Sequence, residues 1–257
     1  VQLKPQYEVK LVAENGQHFY TVDKDPTYYP GVTGILDMIS KPALVPWSAK
    51  CTAEYCKKII HRVNGKQLSD RFLETLVKRA KKQPKFIKET SASVGTDGHS
   101  LFDKAIKTGE PMTGSPYAES FNYWRSKEKL KIVAGDHKVM SIQFGYGGSF
   151  DALAVDEKGE YVIIDFKTGN NIYETHALQV AAYSQAFMET YASHGRPNGV
   201  IVRLIKDRAQ YERREVRNIH DSFDAFSSAL DLKKSMDLVH FTNRELIKDK
   251  KIKEKVK

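Results

Sequence analysis

Val162-Ile163-Ile164-Asp165-Phe166-Lys167-Thr168-Gly169 sets an acid and a lysine inside an otherwise apolar, β-branched run. Such a run reads as a strand, and residues two apart in a strand share a face. Asp165 and Lys167 therefore point the same way, away from the side set by Ile164 and Phe166. Upstream, Gly148-Ser149-Phe150-Asp151-Ala152-Leu153 reads as the first strand of a hairpin that turns at Glu157-Lys158-Gly159. Asp151 lies eight residues before Gly159 and Asp165 six after it, which makes the two carboxylates near neighbours across the ladder. Clustered carboxylates repel, so a cation is expected to hold them, and Mg²⁺ or Mn²⁺, as one or two ions, suits such oxygen donors. A metal held this way polarises a phosphate and acidifies a bound water. Lys167, beside it, orients that water and neutralises developing charge.

Asp-x-Lys by itself means little, since roughly one is expected by chance in a chain of this length. Its companions carry the weight. His99 and Asp103 are four apart in a helical stretch and share a face; the imidazole is a candidate metal ligand and the acid a brace for the cluster. Gln179 and Tyr183 are also four apart, on a helix shortly after Lys167, and bring a donor, an acceptor and a hydroxyl.

Around this centre the chain reads as one globule with no repeat and no linker. Residues 1–30 suggest a short hairpin through Asn15-Gly16 and a turn, followed by a helix capped by Thr33. Helices are expected from Trp47 to Ile60, from Gln67 to Lys82 and from Ser91 to Lys107, and a further one opened by Ser115-Pro116. In the second of these Leu68, Phe72, Leu76 and Ala80 form an apolar stripe, while Arg71, Lys78, Arg79, Lys81 and Lys82 line the other faces, a solvated surface or a rail for phosphates. Strands at Ile132–Gln143, Gly148–Asp156 and Tyr161–Phe166 precede a helix from His176 to His194. Strands at Gly199–Ile205 and Tyr211–Val216 and a helix capped by Asp221 then close the pattern. This order predicts a mixed α/β or α+β core. The expected division is an N-terminal hairpin and helical elaboration over 1–90, a core over 91–240 and a basic tail over 241–257.

With 40% hydrophobic and 28% charged residues, the chain has an ordinary globular composition. No apolar stretch is long enough for a membrane span, and residues 1–10 carry no secretory h-region, although a start at Val1 leaves open that something preceded it. Cys51 and Cys56, five apart on a predicted helix, read as reduced thiols of a cytoplasmic protein. The 41 basic against 32 acidic side chains, a net charge of +9, favour a polyanionic partner such as nucleic acid.

Gly95-Thr96-Asp97-Gly98-His99-Ser100-Leu101-Phe102-Asp103 resembles the G-T-x-x-H-x-x-x-E motif of the RecB-like branch of the PD-(D/E)XK nuclease superfamily. Gly147-Gly148-Ser149-Phe150-Asp151 resembles its G-x-x-D motif, Ile164-Asp165-Phe166-Lys167-Thr168 its D-x-K-T segment, and Gln179-Val180-Ala181-Ala182-Tyr183 its Q-x-x-x-Y motif. Pro30-Gly31-Val32-Thr33-Gly34-Ile35-Leu36 is similar to a segment near the start of phage and mitochondrial genome-maintenance exonucleases. The resemblance spans about residues 28–190. It implies a restriction-endonuclease-like core, a mixed sheet flanked by helices, and a metal-dependent DNA exonuclease acting on single strands or duplex ends. By position, His99, Asp151, Asp165 and the carbonyl of Phe166 would be metal ligands, Lys167 the catalytic lysine, and Gln179 and Tyr183 supports for DNA and the active site. Asp103 stands where the family usually has Glu, and Lys78, Arg79, Lys82 and Thr168 are candidate nucleic-acid contacts. The iron–sulfur cysteines of some relatives are missing, so no such cluster is expected. No helicase motif is present, so the module works alone or with a separate partner such as a recombination or replication protein. The expected compartment is the cytoplasm of a bacterial or phage-infected cell, or the mitochondrial matrix. Oligomeric state is left open. The competing readings are a structure-specific endonuclease on the same core and a catalytically inactive nucleic-acid-binding protein.

Overall fold

The computed structural model describes residues 4–14, 16–23, 25–192 and 195–239, with the side chains of 92–97 excepted. Asn15 of the expected first turn and the basic tail of 241–257 lie outside the described residues.

A five-stranded mixed sheet forms the centre. Its strands are β4 (Lys131–Ser141), β5 (Tyr146–Val155), β6 (Tyr161–Lys167), β7 (Asn198–Leu204) and β8 (Tyr211–Glu215), in that spatial order. All neighbours are antiparallel except β6 and β7, which run parallel and are joined through α5 (Glu174–Tyr191). That crossover is the reason β6 is nearly continuously apolar: a strand beside a parallel neighbour is covered on both faces. On one face, Leu153, Ile163 and Ile201 pack under α5, α1 (Val32–Leu36) and α6 (Ile219–Asp237). On the other, Ala152, Ile164, Phe166 and Val202 pack under α4 (Ala118–Lys127) and the end of α3 (Asp70–Thr108). Phe166 sits among Phe102, Phe121 and Trp124 at ring separations of 5.2, 5.4 and 4.9 Å. This is the expected restriction-endonuclease-like arrangement of a mixed sheet flanked by helices.

Three local expectations are corrected. The N-terminal hairpin β1 (Val9–Glu14) and β2 (Gln17–Val22) gains a third strand, β3 (Asp25–Pro30), where a turn was expected; as an edge strand it tolerates Pro26 and Pro30. The helices expected at 67–82 and 91–107 are one helix, α3, of 39 residues, roughly 58 Å long at 1.5 Å per residue. Pro84 lies inside it, and the helix opens on Ser69, whose hydroxyl accepts from the Phe72 N–H at 3.3 Å. The N-caps are Gly31, Tyr117 and Asn218 rather than Thr33, Ser115 and Asp221. Gly31 is needed there because a β-carbon would come within 2.9 Å of the His18 carbonyl.

The three-stranded sheet rests on the main one through Tyr20, Val22 and Met140. Helix α2 (Leu44–Arg62) packs along the first half of α3, where Leu76 and Ala80 of the expected stripe are buried and Phe72 is half-buried; Leu68, also half-buried, precedes the helix.

Candidate active site

The β5–β6 ladder ends at the pair Ala152–Ile164. One step further, Asp151 and Asp165 would face each other, but the strands no longer exchange backbone bonds. The Asp151 carboxylate takes their place, accepting the Phe166 N–H at Oδ2 over 2.6 Å. Its other oxygen, Oδ1, is 2.7 Å from His99 Nδ1, which α3 brings in from the α4 side of the sheet. Asp165 shares with Ile163 and Lys167 the face that packs under α5 and is 3% exposed.

Lys167 Nζ lies 2.7 Å from Asp165 Oδ2 and donates to Gln179 Oε1 at 2.9 Å. Gln179 Nε2 in turn donates to the Tyr183 hydroxyl at 2.7 Å. Asp165, Lys167, Gln179 and Tyr183 thus form one connected chain from β6 to α5. Gly148 makes room for its far end: a β-carbon there would come within 2.3 Å of the Tyr183 ring. The glycine of the Gly-Ser-Phe-Asp run is therefore a seat for tyrosine.

Burial pushes the Asp165 carboxyl up, opposed by the Lys167 charge and reinforced by the Asp151 charge. Burial by itself would lower the His99 pKa, but the hydrogen bond and charge of Asp151 hold it above its ordinary value. Burial, with Asp165 nearby, raises Tyr183 well above the usual phenol range, so its hydroxyl stays protonated. Despite the ion contact with Lys167, Asp165 Oδ2 has no aligned hydrogen-bond donor.

His99, Asp151, Asp165, Lys167, Gln179 and Tyr183 are thus brought together as two linked sets, His99 with Asp151 and Asp165 with Lys167 and Gln179. Among the described residues, no three His, Cys, Asp or Glu side chains already surround a common point able to take a metal. Asp103 sits one turn further along α3 and pairs with Lys107 at 2.7 Å, its Oδ1 buried without a partner against Gly135. Thr168 is half-buried, and its carbonyl accepts from the Tyr117 hydroxyl at 3.2 Å. Lys78, Arg79 and Lys82 stand exposed on the first half of α3, away from this cluster in sequence. The Phe166 N–H that fixes Asp151 was not foreseen, since a backbone amide leaves no mark on the side-chain pattern.

A family model for the PD-(D/E)XK nuclease superfamily matches residues 58–248. No curated protein matches the chain. Among solved structures, the one described as the crystal structure of SSO0001 is 14% identical over 72% of this chain and 85% of its own, with a TM-score of 0.36. So loose a likeness bears on neither mechanism nor substrate. Among the described residues, no helix is long and apolar enough to cross a membrane.

Proposed function

Because the chain belongs to the PD-(D/E)XK nuclease superfamily, we propose that it is a divalent-metal-dependent DNA exonuclease of the RecB-like branch, cutting phosphodiester bonds on single strands or at DNA ends. The observation that carries this reading is the cluster around Asp165, a buried carboxylate with Lys167 Nζ 2.7 Å from its Oδ2 and the charge of a second acid, Asp151, pushing its pKa up. Two acids held this close in a buried site repel, and a hard cation beside the lysine relieves that repulsion.

The donor set fits a hard metal ion: two carboxylates, the Phe166 carbonyl and an imidazole. Asp151, Asp165, Phe166 and His99 would hold Mg²⁺ or Mn²⁺, as one or two ions. When bound, the metal supplies Lewis acidity toward the phosphate and a water acidic enough to attack it. The remaining work belongs to the chain. The Phe166 N–H keeps Asp151 in one rotamer. Lys167, held between Asp165 and Gln179, presents its ammonium to charge developing on the phosphate. Gln179 is locked by Tyr183, so the ammonium does not wander. Thr168 and the α3 cations Lys78, Arg79 and Lys82 are DNA contacts in this reading, and Asp103 a brace for His99 one turn away.

The test is degradation of linear single-stranded and duplex DNA, labelled at either end, with Mg²⁺, Mn²⁺ or EDTA, and with Lys167→Ala as control. Metal-dependent loss of label, abolished by EDTA and by the substitution, is expected. Circular DNA should survive, and its cleavage would convert the reading to an endonuclease. Activity that persists in EDTA overturns the mechanism.

A further inference from the structure

A cavity of about 610 Å³ opens beside Lys167 and Gln179, between the segment joining α1 to α2 and the first turn of α5. We propose that it holds a nucleobase, that of a strand-terminal nucleotide at the site of cleavage, with Tyr173 as the stacking surface. The inference rests on the nuclease reading and adds to it how the substrate end is recognised.

Continuity comes first. Lys167 and Gln179 line both this cavity and the catalytic cluster, so a phosphate at Lys167 leaves its attached base at the cavity mouth. The size lies within the range of small-ligand pockets, about 300–1,000 Å³. The walls are also of the right kind. Leu36, Ile39, Pro42 and Leu44 supply apolar surface, and Tyr173 is 46% exposed, a large aromatic left open next to a charged site.

Away from Lys167, which faces the scissile phosphate in this reading, charge in the cavity argues for a base and against a second phosphate. Lys41 is already paired with Asp37 at 2.6 Å, and Glu174 adds a negative charge to the lining. Apart from Lys167, no Lys or Arg of the lining is left unpaired to hold an anion. His176 is neutral at ordinary pH, its pKa pushed down to about 4 by burial and by the charges of Lys167 and Lys41. Its Nδ1 accepts the Tyr173 N–H at 3.3 Å, so a neutral ring carries its proton on Nε2 and has one donor to offer a base. Its ring meets Tyr173 edge-on, centroids 5.6 Å apart at 76°. A flat, uncharged, hydrogen-bonding ring meets these conditions, and stacking on an aromatic accepts any of the four bases.

The test is binding in EDTA, so that cleavage plays no part. Single-stranded oligonucleotides carry 2-aminopurine or an abasic residue at the 5′ or the 3′ end, and are titrated with wild type, Tyr173→Ala and Tyr173→Phe. At one of the two ends, 2-aminopurine fluorescence should fall on binding, and the abasic oligonucleotide should bind roughly tenfold more weakly, the scale of one stacked base. Tyr173→Ala should bind intact and abasic ends alike, and Tyr173→Phe should restore the difference. Absence of binding, equal binding of intact and abasic ends, or discrimination that survives Tyr173→Ala overturns the pocket. Loss of the nuclease reading shows separately, as absence of metal-dependent cleavage of the end-labelled DNA.

Discussion

Helices α2 and α5 are almost equally long, 19 and 18 residues, yet α5 buries ten of its residues and α2 none. The charge divides the same way. Between residues 44 and 91, the span of α2 and the first half of α3, there are twelve Lys and Arg against four Asp and Glu, a net of +8 out of +9 for the chain. Helix α5 has no Lys or Arg at all. A buried helix has its composition dictated by packing, so a polar residue there survives only with its partners in place. Gln179 and Tyr183 meet that condition by bonding each other and Lys167. An exposed helix is free to carry charge, and what its charges do is act at a distance on a polyanion. In the proposed function, chemistry is thus concentrated in the buried region and long-range attraction in the exposed one.

The comparison breaks hardest at Lys167. Lys167→Ala should lower the cleavage rate by about 10³-fold, the scale of losing one preorganised electrostatic group, while gel-shift affinity for DNA in EDTA changes little. A comparable loss of affinity would mean that the two regions do not divide the labour. Next comes Gly148→Ala, whose new methyl would collide with the Tyr183 ring at 2.3 Å. It should cost about 1–3 kcal/mol of stability, as overpacking does, and lower activity through the displaced Tyr183–Gln179 pair. Calorimetry and single-turnover rates on one preparation check both.

In the exposed region, Lys78→Glu, Arg79→Glu and Lys82→Glu together should leave the melting temperature within error. The slope of log affinity against log salt should flatten by about 2, if each of the three neutralises one phosphate of a single strand. An unchanged slope would remove this face of α3 from the DNA path.

The smallest effect concerns pH. His176 has a folded pKa of about 4 against an ordinary 6.5, so the folded chain binds fewer protons than the unfolded one between those values. Its contribution is therefore intact above about pH 6.5 and is lost as pH falls toward 4. Discounted for the solvent that reaches this half-buried ring, His176→Phe should reduce the acid-induced drop in melting temperature by roughly 2–4 °C. Parallel melting curves of the two proteins between pH 7 and 4 would show it.

Much of the core was legible because its signals are local. The apolar run of β6, the turn at Gly159 and the spacing of Gln179 and Tyr183 each follow from strand or helix geometry within a few residues. Signals that depended on distant neighbours were not legible. Edge position made a strand of Asp25–Pro30 in spite of its prolines, and nothing in the residues around Pro84 announced that α3 runs through it. The Tyr173 pocket needed the 37–44 segment to fold back over α5, a contact of long sequence separation.

What the sequence by itself determined is which side chains share a face and in what order they come, because backbone periodicity is a local property of the chain. Only the tertiary structure decided that the face of Asp165 is closed rather than open, that Asp151 turns to a backbone amide and to His99, and that an aromatic pocket adjoins Lys167. The physical reason is that burial, and the upward push it gives the Asp165 carboxyl, depends on which helix is laid over the strand. That is settled by packing among residues far apart in sequence.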